Sequence, residues 1–381
     1  MYLSEEHDMI RKTVRDFAER EVKPVAKELD EKGEFSIPLT KRMGELGLFG
    51  LRTPVEYGGL DMDTLAYVIA VEELARIDSS QAATLAAHIS LGIGPIMNYG
   101  TDEQKKKYLP MLSTGEATWA FGLTEPDAGS DSRNTKSTAH LEDGYWIING
   151  SKTFITNGSS SINKGATVQV VTGNANGQKE FSTILVDAET PGFRRMPMHG
   201  KMMWRASDTA QLFLEDCRVP ESNLLGKRGE GSKIMLNTLD SGRLAIGAMG
   251  LGLAQGAFEL AMKYAKSRRQ FGKPIAEFQV NAFKLADMAT KIELARNLLY
   301  KGAWLKSNQK PFAKEAAMAK LYCSEIAREI ADEAVQLHGG YGLMKDYDIE
   351  RFYRDQRILQ IGEGTSEIQR LVISRYIGCY D

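Results

Sequence analysis

The sequence predicts an α+β multidomain fold. It consists of an N-terminal helical domain (1–116), a central antiparallel β domain (117–230) and a C-terminal four-helix bundle (231–381). Three observations carry this. The chain has 381 residues, room for two or three domains at about 150 residues each. Its texture changes from helical to strand-like near Thr118. It returns to long helical patterns near Gly231.

The first region opens with a helix start. Ser4 is placed to cap it, with Glu5 and Glu6 at the positive end of the helix dipole. Met9, Ile10, Val14, Phe17 and Val22 recur near one face. Gly33, Pro38, Tyr57-Gly58-Gly59 and Ser79-Ser80 punctuate the region, and Thr101 to Gln104 reads as another helix start. In the middle region short β-type runs begin at Tyr145, Thr167, Thr183 and Gln211. Asp143-Gly144, Asn149-Gly150 and Asn157-Gly158 read as turns between them. Strands joined by turns, without long helical crossovers, predict an antiparallel sheet or small barrel. In the third region Leu285, Met288, Ile292, Ala295 and Leu299 follow the spacing of a helix packed in a bundle.

Composition narrows the function. Hydrophobic residues make up 43% and charged residues 26%, a globular mix. The net charge of −2 gives no overall pull toward nucleic acid or an anionic membrane. No run of about 18 apolar residues is present, so no membrane span is expected. The first residues read as neither a signal nor a transit segment. Three cysteines in so long a chain fit a reducing, cytoplasmic setting. The five histidines and three cysteines share no ligand spacing, so no metal site is expected.

Three segments stand out. Gly247 to Gly252 superficially resembles a dinucleotide loop. No strand precedes it and Gln255 fills the third glycine position, so it reads as close helix packing. Phe121 to Asp131 gathers small residues, hydroxyls and backbone N–H groups suited to a polar ligand, though its pieces are also ordinary turn chemistry. Glu363 lies between Gly362 and Gly364, just before Thr365 or Ser366, either of which can cap the next helix. A carboxylate held there against an apolar cavity would have a raised pKa and serve as a base; in water it is an ordinary loop acid.

Together these segments resemble the acyl-CoA dehydrogenase family. The landmarks run in family order: Tyr57-Gly-Gly59, Leu123 to Ser130, Phe154 to Asn157, Arg269 to Pro274, Gln336 to Gly340 and Glu363 to Thr365. The resemblance implies FAD, an acyl-CoA thioester and Glu363 as the base that removes the α-proton while hydride goes to the flavin. Some relatives carry the base in the stretch matching Leu239 to Arg243; here that residue is Gly242. The backbone N–H of Glu363 is the implied donor to the thioester carbonyl. FAD contacts are implied for Phe121, Leu123, Thr124, Ser130, Phe154 and Thr156 around the ring. For the pyrophosphate and adenosine they are implied for Arg268, Phe271, Gln279, Gln336, Gly339, Gly340, Thr365 and Glu367, partly on a neighbouring subunit's cofactor. Substrate contacts are implied for Ser130, Asp240, Arg243, Gly364, His88 and Gly362.

The acyl group is read from departures. Relatives that use glutaryl-CoA carry an arginine where this chain has Ala82, which disfavours a dicarboxylic substrate. Short straight-chain relatives commonly have Tyr where this chain has Gly362. The missing phenol opens room for a branched or alicyclic acyl group, unless other side chains refill it. His88 either orients the substrate or is a satisfied structural histidine. The expectation is a homotetramer that passes electrons to an electron-transferring flavoprotein. Alternatives are a linear butyryl-type dehydrogenase, an enoyl-CoA reductase, an oxygen-using oxidase, and a non-catalytic acyl-CoA-binding protein.

Overall fold

The computed structural model describes residues 3–175 and 177–380. Its N-terminal helices are α1 (Glu5–Phe17), α2 (Lys23–Lys32), α3 (Ile37–Glu45), α4 (Thr64–Ala75), α5 (Ser79–Ala87), α6 (Gly94–Tyr99) and α7 (Asp102–Ser113). Ser4 and Thr101 each close a capping box, so both expected helix starts are real. Ile10, Val14, Phe17 and Val22 are buried, whereas Met9 is 58% exposed. A π turn at Ala18–Val22 rotates the chain between α1 and α2, so strict helical spacing does not describe this face.

The middle region holds β1 (Thr118–Gly122), β2 (Thr138–Glu142), β3 (Tyr145–Thr156), β4 (Asn163–Ala175), β5 (Gln178–Asp187), β6 (Phe193–Pro197), β7 (Thr209–Pro220) and β8 (Leu224–Leu225). They form one sheet in the order β6-β7-β3-β2-β4-β5-β8, with β1 beside β4. Most pairs are antiparallel, but β1 runs parallel to β4, and β2 touches β4 in parallel at Thr138. Asp143 and Gly144 make the expected tight turn with positive φ. Asn149-Gly150 does not separate strands. It lies inside β3, where Gly150 at φ 150 packs against Ser137 and the register with β7 shifts.

The C-terminal region comprises α8 (Gly231–Ser267), the short strands β9 (Arg269–Gln270) and β10 (Lys273–Pro274), α9 (Gln279–Ser307), α10 (Ala313–His338), α11 (Ile349–Asp355) and α12 (Ser366–Tyr376). The predicted stripe on α9, from Leu285 to Leu299, is buried throughout. By length and composition α8 passes the test for a membrane-crossing helix, unlike the sequence expectation, but most of its apolar stretch is buried inside the bundle. Its glycines explain that burial. A Cβ on Gly252 or Gly256 would stand 2.2 Å from the Glu72 carbonyl oxygen and 2.1 Å from that of Arg76, and one on Gly250 2.8 Å from that of Cys323. The Gly-rich stretch is therefore the seam along which α8 meets α4 and α10.

The helical regions at the two ends of the chain share one core. Val14, Tyr67, Leu251, Ile292 and Ile330 all belong to it, while Ile148, Val168, Ile184 and Leu212 form a separate core in the sheet. A third cluster, with Leu109, Trp119, Leu185 and Ile234, welds the two together. The candidate site lies beside a fourth, small cluster of Phe121, Leu123 and Met235.

Candidate active site

Glu363 follows α11 on a turn that leaves the helical path. Its φ is +52°, left-handed for a residue with a side chain, and Gly364 continues at +92°. Two elements hold this turn. Thr365 caps α12 by accepting the N–H of Ile368, so Thr365, not Ser366, is the cap. From α10, the Lys320 ammonium donates to the Gly364 carbonyl at 2.5 Å, and the Gln369 amide donates to the same oxygen at 2.9 Å. Glu363 Oε2 has no hydrogen-bond partner among the described residues and is shut off from solvent. Burial pushes the carboxyl up to about 7, against the pull of Lys320 and Arg243. Burial likewise lowers Lys320 to about 8.

Gly242 on α8 supplies the facing wall. A Cβ there would stand 1.9 Å from Glu363 Oε2. The position that carries the base in some relatives thus faces the Glu363 carboxylate in this chain. Leu91 closes the same space from the π turn His88–Ile93. Phe121, Leu123 and Met235 form an adjoining apolar cluster, with Leu91 and Leu239 packed on it. Asp240 and Arg243 form an ion pair beside it.

The loop after β1 is fixed by a pair that sequence reading passed over. Glu125 is buried and bonded to the Lys152 ammonium at 2.6 Å. Its two oxygens also accept the N–H groups of Lys136 and Ser137. Thr124 accepts the N–H of Thr153, which stitches the loop to β3. Ser130 is exposed at the far end of the loop. On β3, Phe154 sits in a left-handed bulge at φ +60° with 68% of its surface exposed, next to half-buried Thr156. An exposed aromatic held in a strained position fits a planar ring as its partner.

A second cleft of about 460 Å³ brings together Arg268, Gln336, Gly339 and Gly340. Nothing lies within 4 Å of where either glycine would carry a Cβ, so both leave the cleft open. Arg268 stands over the Tyr341 ring and has no carboxylate partner among the described residues. This donor set fits a pyrophosphate. Phe271 and Gln279 do not line the cleft: Phe271 is 94% exposed on the turn between β9 and β10, and Gln279 begins α9 at the surface. Glu367 is exposed in the first turn of α12.

His88 is corrected. It is fully buried, its Nε2 meets the Leu112 carbonyl at 2.9 Å, and its Nδ1 accepts the Trp119 N–H at 3.3 Å. Both ring nitrogens are occupied, and burial lowers it to about 4, so it is neutral and has no atom left for a substrate. Lys320, beside Glu363, is a residue of the site that sequence reading missed. Its signal was a lysine on the buried face of α10, in line with Ala316, Cys323 and Ala327.

The chain matches the acyl-CoA dehydrogenase N-terminal domain over residues 4–116, the middle domain over 120–217 and the C-terminal domain over 229–378. The chain belongs to the acyl-CoA dehydrogenase family. This dehydrogenase is 47% identical to the probable acyl-CoA dehydrogenase YngJ of Bacillus subtilis, over 98% of both chains. It is 44% identical to the caffeyl-CoA reductase-Etf complex subunit CarC of Acetobacterium woodii, over 98% of both. Butyryl-CoA dehydrogenase of Megasphaera elsdenii superposes with a TM-score of 0.96 at 40% identity, covering 99% of each chain. Membership makes the protein an FAD-dependent oxidoreductase, and the exposed Phe154 and the Arg268 cleft are where its residues fit that cofactor.

Proposed function

We propose that this dehydrogenase removes two hydrogens across the α,β bond of a short acyl-CoA with a branch or ring beside the thioester, with Glu363 taking the α-proton. The observation that carries the role of Glu363 is its carboxylate. It is enclosed, unpartnered at Oε2 and titrates near neutrality, the state a base needs to accept a proton in a dry site. The backbone N–H of Glu363 makes no hydrogen bond among the described residues and is the natural donor to the thioester carbonyl. We assign the CoA portion to Asp240 and Arg243, paired beside the Phe121 cluster, and keep Gly364 and Ser130 as candidate substrate contacts. FAD, when bound, supplies the hydride acceptor.

The choice of acyl group rests on Gly362. The nearest atoms a Cβ there would meet belong to Ile358, at an ordinary 3.6 Å, so nothing crowds the start of a side chain, and its absence supports a wider acyl pocket. The likeness to butyryl-CoA dehydrogenase supports a short acyl group and keeps the linear butyryl-type reading second. CarC, a reductase subunit named with Etf, supports an electron-transferring flavoprotein as partner and makes reduction of an enoyl-CoA the alternative direction. Exposed apolar groups on α9 (Val280, Phe283, Leu294) and after α10 (Leu343) support a homotetramer, and three free thiols suit the cytoplasm. The test is anaerobic flavin bleaching by cyclohexanoyl-, cyclohexenoyl-, isovaleryl- and butyryl-CoA. Faster bleaching by the first three is expected; equal or faster bleaching by butyryl-CoA overturns the argument from Gly362.

A further inference from the structure

Two neighbouring residues of β3 hold two neighbouring residues of the loop after β1. The Thr153 N–H donates to the Thr124 carbonyl at 2.9 Å, and the Lys152 ammonium donates to the Glu125 carboxylate. Lys152 also donates to the Gln169 carbonyl of β4 at 2.6 Å. Its stem passes the end of β1, where a Cβ on Gly122 would stand 3.2 Å from Lys152 Cγ and 3.0 Å from Val168 Cγ1. Gly122 therefore leaves open the path by which the lysine reaches the loop.

The rest of the loop closes around this point. Glu125 and Ala128 exchange backbone hydrogen bonds at 3.0 and 3.1 Å. The Gln169 amide donates to the Ser132 carbonyl and the Thr135 hydroxyl, and the Asn134 amide donates to the Asp127 carbonyl. On the strand side, the register of β3 with β7 shifts between Lys152 and Ile155. That shift makes the bulge that carries Phe154, and Lys152 is the last paired residue before it. The one lysine thus anchors both the loop with Leu123 and Thr124 and the strand with Phe154 and Thr156.

We propose that Glu125 and Lys152 are positioning residues for the flavin ring, because they set the gap between the β1 loop and the Phe154 bulge. This rests on the FAD reading of those two segments and adds what spaces them. Both side chains are closed to solvent, so they act through the backbone they hold. A buried ion pair adds little stability over apolar side chains of the same size. It does demand one arrangement of donors and acceptors, and here Glu125 meets that demand with the N–H groups of Lys136 and Ser137 as well. A ring held between two walls needs that single arrangement more than it needs the stability.

The test uses the FAD-loaded enzyme and reads the cofactor directly. Glu125→Gln combined with Lys152→Met removes both charges at once, keeps both side chains near their size and leaves no lone buried charge. This double variant should release FAD on the order of tenfold faster than the wild type, and its visible flavin band should shift. Glu73→Leu is the control, since it breaks a buried ion pair in the helical core. It should lower the melting temperature more than the double variant does, with FAD release and the flavin band unchanged. Two results overturn the proposal. One is a double variant with wild-type FAD release and an unmoved band, which leaves the pair a strut of the fold. The other is an equal change in Glu73→Leu, which makes FAD retention follow stability alone. A wild type that binds no FAD would instead sink the cofactor reading itself.

Discussion

Glu72 and Glu73 on α4 and Glu363 after α11 are all acids withdrawn from bulk water, yet the molecule treats them differently. Glu73 accepts from Arg11 once and from Arg15 twice, each at 2.9 Å. Glu72 accepts from Arg296 and from the Tyr300 hydroxyl. Every bond crosses between helices, so the cluster ties α1, α4 and α9 together. Glu363 has cations nearby, but Lys320 is spent on the Gly364 carbonyl and Oε2 is left bare. A satisfied buried carboxylate is a strut. An unsatisfied one is held at a cost in stability, and that cost suits it to accept a proton.

This contrast can be broken by experiment. The largest effect belongs to Glu363→Gln. Turnover should fall on the order of a hundred- to ten-thousand-fold while the flavin spectrum and acyl-CoA binding persist. Retained turnover would place the base elsewhere. The wild-type rate of flavin reduction should also fall as pH drops through about 7, because the active form is the carboxylate. The linkage has a definite sign. A carboxyl raised in the folded state binds its proton more tightly there than when unfolded. Glu363 therefore lowers stability as pH rises from the ordinary glutamate range through about 7, and Glu363→Gln should raise the melting temperature at pH 8 more than at pH 5.

Next in size is Glu73→Leu, which strands Arg11 and Arg15. It should cost about 3–5 kcal/mol in denaturant unfolding and leave the pH profile of flavin reduction unmoved. A moved profile would mean that the two clusters are coupled. Lys320→Met sharpens the other side. Removing that positive charge should shift the acidic limb of the same profile upward by roughly one unit, with Lys320→Arg restoring most of the shift; a purely structural lysine would change melting but not the limb. The smallest effect is expected from His88→Asn, a loss of about 1–3 kcal/mol from two stranded hydrogen-bond partners, with kcat little changed. A large loss of kcat at unchanged stability would return His88 to the substrate.

Much of this was legible in residue order because the rules involved are local. A cap needs its partner three residues away, as at Ser4 and Thr101. A buried helix face needs only regular spacing, as from Leu285 to Leu299 on α9. A tight turn needs Asp143-Gly144 and nothing more. Glu363 between two glycines was legible for the same reason. The family motifs run along the chain in order, so the fold class and the cofactor followed from them.

Other features are contacts between distant segments, which no local pattern records. The parallel pairing of β1 with β4 depends on where the chain returns after β3. Val22 shares the buried face of Phe17, five residues earlier, because a π turn between them changes the helical phase. The neutrality of His88 comes from Leu112 and Trp119, and the poise of Glu363 comes from Gly242, Lys320 and Arg243, which α8 and α10 deliver. Sequence alone determined which groups the chain carries and how each short segment folds. Only the tertiary structure decided which of those groups are left without partners, because burial and Coulomb interactions depend on distance in space and not on separation along the chain.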